Sequence, residues 1–375
     1  MNFTSRRYAD ETIAAGYLMG DVKVGRLGLL GGVRSERTGD KNWAYIQKPA
    51  AQLTTIAQEP DPVLRASRNF IRLINSGSYS KLYPSIHATY DVMPRLKARA
   101  SYSTSYGSAG FAALVPTLTV SPPTASVPTG SITISDAGLR PQFAKNTDVR
   151  LDYYTTHSGI FTVGYFKKKI TDYLLTQEQG TVGAGSDNGY SGDYAGYRIF
   201  QTSNAGNVDV DGWQFSLQQR LTFLPDPLKG LTLSANYTTL ATEGDFGGIL
   251  ATTTAVVHLK TGNVIGFTPR TGNFMAVYNY RGLTTRVVVS YTGKYISSYS
   301  APSATVPEST ANIYREPLTT VNVGFSYYWK PAVSFSCDIT NINEAGPRFY
   351  RFTPDRLREI RRMPSTVTFG VNGQF

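Results

Sequence analysis

Three histidines, one cysteine and 26 acidic side chains are the groups that could do metal, nucleophile or proton chemistry in this chain of 375 residues. His87, His157 and His258 lie far apart, and none stands at metal-ligand spacing from another ligating residue. Cys337 alternates with Val333, Phe335 and Ile339, which puts it on an apolar strand face as an inert thiol. A single cysteine also excludes an intramolecular disulfide framework. No glycine-rich phosphate loop follows a strand and opens a helix, and Gly31-Gly32 falls inside a strand, where it fits a bend or close packing. Spacing sets no two carboxylates face to face, so hydrolysis has no anchor and the chain reads as a non-enzyme without cofactors. Two cationic clusters remain: Lys167-Lys168-Lys169, and Arg356, Arg358, Arg361 and Arg362. Each is either a solvated or lipopolysaccharide-facing charge cluster or a contact for an anion.

The net charge of +11 does not make this a nucleic-acid binder, because Lys and Arg are scattered and no nucleic-acid module motif is present. Hydrophobic residues are 41% of the chain and the mean hydropathy is −0.22. No run approaches the roughly 20 apolar residues of a transmembrane helix. A membrane β-barrel stays open, since its strands are only half apolar. The opening "MNFTSRRYADETIAAGYLMG" lacks the apolar core and small-residue cleavage site of a signal peptide.

The elements that must position these residues are strands. "WQFSLQQRLTF" sets Trp213, Phe215, Leu217, Leu221 and Phe223 on one face, and Gln214, Ser216, Gln218, Arg220 and Thr222 on the other. "LTLSANYTT" (231–239), "TVNVGFSYYW" (320–329), "LKARASYSTSY" (96–106) and the closing "VTFGVNGQF" (367–375) alternate in the same way. About thirteen such segments occur, many of the 9–11 residues that cross a bilayer when tilted. Short connections (20–25, 92–95, 156–159, 225–230, 280–283, 329–332) alternate without a break with long ones (38–80, 107–146, 175–196, 240–272, 296–318, 342–364). A β-sandwich has no reason to keep that asymmetry, whereas a membrane barrel does. Tyr17, Tyr102, Tyr106, Tyr291, Tyr295, Tyr327, Trp329 and Phe375 read as interfacial aromatics on apolar faces. In the first long loop Asp61 and Pro62 predict a helix over 62–75, and "TPDRLREIRR" (353–362) predicts one or two further helical turns.

"GGVRSERTGD" (31–40), "LYPSIHATYDV" (82–92), "LRPQFAKNTDVRLDYY" (139–154), "DGWQFSLQQRLTFLP" (211–225), "PRTGNFMAVYNYRGL" (269–283), "ITNINEAG" (339–346) and the terminal strand follow one another in that order. Together they resemble the C-terminal part of the barrel of TonB-dependent receptors, over essentially the whole chain. "SDAGLRP" stands where that family usually has Asn-Pro before Leu-x-Pro, and Gln214 where an acidic residue is common, departures that concern substrate subclass rather than fold.

The resemblance implies an all-β, antiparallel transmembrane barrel with short periplasmic turns and long extracellular loops. Residues 1–375 would be one barrel portion of a larger barrel, with the plug and early strands absent. An odd strand count could not close on itself. The family imports ligands such as siderophores, cobalamin or oligosaccharides, energised by the TonB system acting through the plug. The implied location is the Gram-negative outer membrane, if the chain is exported with its full-length parent. Implied partners are outer-membrane lipid, lipopolysaccharide and the barrel assembly machinery, which would read Phe375. Arg99, Asp152, Gln214, Gln218, Arg220 and Lys294 would line the lumen, and the Arg356–Arg362 cluster would be extracellular. A small passive porin, or a soluble β protein with a binding surface, are the alternatives.

Overall fold

The computed structural model describes residues 6–48, 52–115, 118–124, 129–135, 139–190, 192–249, 256–298, 312–330 and 333–373. Thirteen strands follow one another as neighbours in one sheet. They are β1 (Arg7–Val24), β2 (Leu27–Gln47), β3 (Phe70–Met93), β4 (Leu96–Gly107), β5 (Gln142–Tyr154), β6 (Ile160–Thr181) and β7 (Arg198–Arg220). After them come β8 (Leu231–Ile249), β9 (Arg270–Tyr280), β10 (Leu283–Thr292), β11 (Leu318–Lys330), β12 (Val333–Thr340) and β13 (Thr366–Gly373). Every pair along this path is antiparallel. β1 and β13 stand at the two ends of the order, and no ladder joins them among the described residues. Short Ser131–Ile134 adds in parallel to β7 and carries Leu118–Ser121, and Val256–Thr261 pairs with β8. A separate four-stranded sheet joins Tyr295–Ser298, Ile313–Arg315, Arg348–Arg351 and Leu357–Ile360.

Short turns join odd strands to even ones, and all the long connections leave from even strands. Arg281 and Gly282 make one short turn, both at positive φ (46° and 84°), the conformation that closes a two-residue hairpin without splaying its strands. The long connections therefore gather at the opposite end of the sheet.

Directly paired residues share a face, so the register sorts the side chains. Val287 lies opposite Val323, which faces Ile339, which faces Val367. Cys337 sits between Phe325 and Phe369 on that same outward apolar face. The face is open: Phe369 is 78% exposed and Leu18 75%. A soluble sheet would not leave a continuous apolar belt uncovered.

Toward the long-loop end, β6, β7 and β8 exchange the chemistry of their two faces. Near the turns the outward residues are apolar: Phe161, Val163 and Tyr165 on β6, Trp213, Phe215 and Leu217 on β7, Leu233, Ala235 and Tyr237 on β8. Further along, the inward residues are apolar instead. Phe166, Val208, Val210 and Phe246 are buried there with Val264, and Ile170, Leu240, Ile265 and Phe267 pack against them. The segment after Val256–Thr261 closes over this cluster, and the Tyr173 hydroxyl donates to the Ile265 carbonyl at 2.6 Å. The β7–β8 ladder runs through the exchange without a bulge, so the sequence changes face while the backbone does not. The Tyr165–Trp213 ring pair, 5.3 Å between centroids, marks the boundary.

Three expectations are corrected. The predicted helix begins where expected, with Pro62 at its first turn and Asp61 accepting from the Val63 and Leu64 amides at 2.7 and 3.3 Å. It ends at Asn69 rather than 75, because residues from Phe70 onward pair with β2 as far as Gln47. The stretch 353–362 is not helical: Leu357–Ile360 is extended and pairs with Arg348–Arg351, a ladder that local cap signals could not reveal. Tyr17 lies opposite Arg34, on the polar face, and Tyr106 donates to Glu36, so neither belongs to the apolar face assigned to it.

Candidate functional site

The inward face of the turn-proximal half is a polar wall. One row across neighbouring strands reads Lys97, Asp152, Thr162, Ser216 and Asn236, and the next reads Arg99, Arg150, Gly164, Gln214 and Thr238. These rows, apart from Lys97 and Asp152, line with His87 and Asp148 a concavity of about 660 Å³ that spans β3 to β8. Six neighbouring strands can share one hollow only where the sheet curves toward its polar side, as a barrel wall does.

Asp152 is the buried centre of this wall, 2% exposed. Thr162 donates to its Oδ1 at 2.9 Å, while Arg99 Nε and Arg150 Nε lie 2.9 and 3.6 Å from Oδ2. The Arg99 contact is ionic rather than a well-aligned hydrogen bond, for neither of its atoms has a hydrogen-bond partner. Lys97 pairs with Asp91 at 3.3 Å. Two guanidinium groups stand against Asp152, with Asp148 also lining the hollow, so the wall offers both donors and acceptors to a hydrogen-bonding partner.

The sequence-derived candidates divide. Arg99 and Gln214 line the hollow, and Asp152, which does not line it, is tied to it through its ion pair with Arg99. Gln218 shares their face but lines a smaller depression nearer the turns with Met275 and Val288, and Arg220 faces Thr232 at the strand end. Lys294 stands apart. It follows β10, and its ammonium lies over the Tyr314 and Tyr350 rings at 4.6 and 5.6 Å, a cation–π contact on the four-stranded sheet. The arginine cluster occupies that same sheet: Arg361 pairs with Glu359 and covers the Phe349 ring at 5.0 Å, while Arg356, Arg358 and Arg362 make no ion pair among the described residues. Phe375 lies outside the described residues. His87 is at the hollow, His157 packs edge-on against Phe223, and no metal-ligating group of His, Cys, Asp and Glu forms among the described residues.

Several residues escaped the sequence reading. Arg150 has a local signal, since it alternates with Asp152 and therefore shares its face. Arg286 and Asp338 have none: they sit on β10 and β12 and meet at 3.1 Å across the intervening Gly324. A Cβ at Gly324 would stand 2.6 Å from Asp338 Oδ1, so this close approach needs glycine. On the upper part of β2, Glu36 is held between the Tyr106 hydroxyl at 2.6 Å and Arg34 at 2.8 Å. The Tyr106 bond and then the Arg34 guanidinium keep its carboxyl below the usual range. Burial and the neighbouring Glu36 charge push Tyr83 up to about 12.

The strand order, the alternation of short and long connections, and a polar concave wall beneath an apolar exterior define part of an antiparallel membrane β-barrel. The chain belongs to the TonB-dependent receptors, for the family model described as "TonB dependent receptor-like, beta-barrel" matches residues 2–342. Its fold is similar to the hemophore receptor HasR of Serratia marcescens, solved with its hemophore HasA and heme, at TM-score 0.61 and 15% identity over 97% of this chain and 51% of that one. It is also similar to the ferric yersiniabactin uptake receptor FyuA of Yersinia pestis (TM-score 0.58, 13% identity, 98% and 46% covered). The FrpB iron transporter of Neisseria meningitidis is a third (TM-score 0.57, 16% identity, 98% and 45% covered). The chain thus spans about half the length of the solved receptors it matches. No curated protein matches it.

Proposed function

We propose that this chain forms wall and outer loops of a Gram-negative outer-membrane receptor that imports a bulky ligand by TonB-dependent transport. Siderophore or heme-type iron cargo is the favoured class, because the solved relatives are receptors for ferric yersiniabactin, for a heme-carrying hemophore and for iron. Cobalamin and oligosaccharides are the other classes the family resemblance admits.

The observation that carries the reading is the polar hollow of β3–β8 backed by an outward apolar belt. A wall wet inside and greasy outside belongs to a water-filled lumen in a bilayer. A passive porin needs a closed ladder, and β1 and β13 share none among the described residues. The test is uptake in cells from which the encoding gene is deleted, offered labelled ferric siderophores, heme, cobalamin and maltooligosaccharides in turn. Loss of one uptake, abolished equally by a protonophore in the parent strain, is expected. Unchanged uptake of all four, or uptake indifferent to the protonophore, overturns the proposal.

A further inference from the structure

Beyond the Ser85–Ser103 pair the β3–β4 ladder ends, and the β2–β3 hairpin meets β4 and β5 through side chains. Tyr106 of β4 donates to the buried Glu36 of β2 at 2.6 Å, and its ring lies 5.3 Å from that of Tyr83 on β3. Tyr79 stands edge-on to Phe143 of β5, with 6.3 Å between centroids. Register sets Arg34 opposite Tyr83, Glu36 opposite Lys81 and Thr38 opposite Tyr79, all on one face of the hairpin. Three phenols and one carboxylate therefore gather at this seam. Its hydrogen bonding is incomplete. Thr38 is 1% exposed and Tyr83 9%, yet Thr38 Oγ1 and the hydroxyls of Tyr79 and Tyr83 are buried without a hydrogen-bond partner. Buried polar atoms are almost always paired, so three orphans on one face call for a ligand that engages them.

Every donor here is a hard oxygen: carboxylate, phenol or alcohol. Such oxygens suit hard cations rather than soft ones, and tyrosine is a ligand that iron takes in proteins. The charged groups facing the seam are Glu36, its partner Arg34 at 2.8 Å, and Lys81, whose ammonium lies 4.2 Å from the Phe143 ring centroid. From β1 the same face presents Ile13 opposite Thr38, Ala15 opposite Glu36 and Tyr17 opposite Arg34. A trivalent ion that replaces one proton on each of the three phenols leaves this charge balance unaltered. A divalent ion matches only two of them. Burial and the Glu36 charge push Tyr83 up to about 12, and the bond to Glu36 pushes Tyr106 up as well. Phenols so weakly acidic surrender their protons only to a strongly polarising ion, which favours ferric iron over calcium, magnesium or zinc.

We infer that Tyr79, Tyr83, Tyr106 and Glu36 form a binding site for ferric iron that clamps the β2–β3 hairpin to β4. Binding is an exchange. Iron–oxygen bonds form to the three phenolates and to Glu36, the three phenolic protons pass to solvent, and the iron stays ferric. Because protons leave as iron arrives, binding strengthens as pH rises. None of these residues lines the polar hollow, so the site is separate from it and the inference does not rest on the import reading. The hydroxyls of Tyr79 and Tyr83 bond to nothing in the iron-free chain. Phe in their place therefore leaves the iron-free hairpin as stable as before and removes only its response to iron.

The test takes the full chain from outer membranes in mild detergent and adds ferric nitrilotriacetate, following the visible phenolate-to-iron charge-transfer band and the protons released. The parent is expected to bind about one iron per chain and to release about three protons, with slowed amide exchange in the β2–β3 hairpin. Y79F and Y83F should each weaken binding by more than about a hundredfold, beyond the loss typical of a residue that only supports a ligand. Y102F, at an aromatic opposite Ile86 and outside the seam, keeps parental binding. Redox-inert gallium(III) competes with iron, and calcium and zinc do not. A parent without the charge-transfer band, or a band of parental strength in both Y79F and Y83F, overturns the site. Equal competition by zinc or calcium overturns the trivalent assignment. Faster hairpin exchange in iron-free Y79F and Y83F than in the iron-free parent would make the hydroxyls structural and overturn their role as ligands.

Discussion

The turn-proximal and loop-proximal halves of β6–β8 are built from the same three continuous strands, yet they are inside out relative to each other. In the first half Trp213, Phe215 and Leu217 face outward and Gln214 and Ser216 face inward. In the second half Val208 and Val210 face inward and Asp209 and Asp211 outward. The β ladder is indifferent to its surroundings; the side chains record which solvent lies on which side. Lipid outside and water inside give way to water outside and a loop-covered core inside. The difference locates the edge of the hydrocarbon from the amino-acid pattern alone.

That comparison can be broken by substitution, and the largest effect is expected in the loop-proximal half. Phe246 is fully buried. Replacing it with Ala should cost about 3–5 kcal/mol, seen as proteolysis and accelerated amide exchange at the loop-proximal end of the β7–β8 ladder with membrane insertion unchanged. Phe274 on the belt is the matched control: lipid chains fill the space it leaves, so Phe274→Ala should cost distinctly less by the same measurements. Equal losses would mean that the belt is a packed protein interface.

Next in size is a charge on the belt. Leu233→Arg should cost on the order of 2–4 kcal/mol if it lies at the bilayer midplane, whereas Ser234→Arg on the polar face should be mild. Urea titration in detergent or vesicles measures both, and equal tolerance sinks the membrane assignment. A smaller effect belongs to the inner wall. Arg286 and Asp338 are both half exposed, so Arg286→Ala should change stability by under about 1 kcal/mol and lose even that in high salt. A salt-independent loss would show that the pair is shielded from water.

The smallest effect is a pH response above the belt. Glu36 has a depressed pKa, so its contribution is present above the ordinary carboxylate range and is lost as pH falls through its lowered value. Acidification should loosen the upper β2–β3 hairpin in amide exchange, and Glu36→Gln should flatten that dependence. A hairpin that tightens in acid would reverse the sign and refute the pairing with Tyr106 and Arg34.

The thirteen strands were legible because lipid and water impose a two-residue period on every crossing segment. Their outer ends were not. Residues 70–74 carry apolar side chains on both faces, Phe70 and Ile74 on one and Ile71 and Leu73 on the other, so the two-residue pattern dissolves and the Asp61 cap invites a helix that the β2 ladder then truncates. Leu357–Ile360 was misread for the same reason: its partner, Arg348–Arg351, is set by tertiary pairing. Within the site, alternation placed Arg99, Asp152 and Gln214 on one face. It could not show that Arg286 reaches past Gly324 to Asp338, nor that Lys294 belongs to another sheet, because which strands become neighbours is not written in any one strand.

The sheet order carries a rule about assembly. With thirteen antiparallel strands, β1 and β13 point in the same direction. A second copy related by a twofold axis along the membrane normal would bring its β13 beside β1 pointing the same way, making two parallel seams in a barrel that is otherwise antiparallel. Self-association therefore cannot complete this wall in its own style. Whatever sheet does so must contribute an odd number of strands, with both of its margins running against β1, and that restriction tells complementary partners from copies by arithmetic alone.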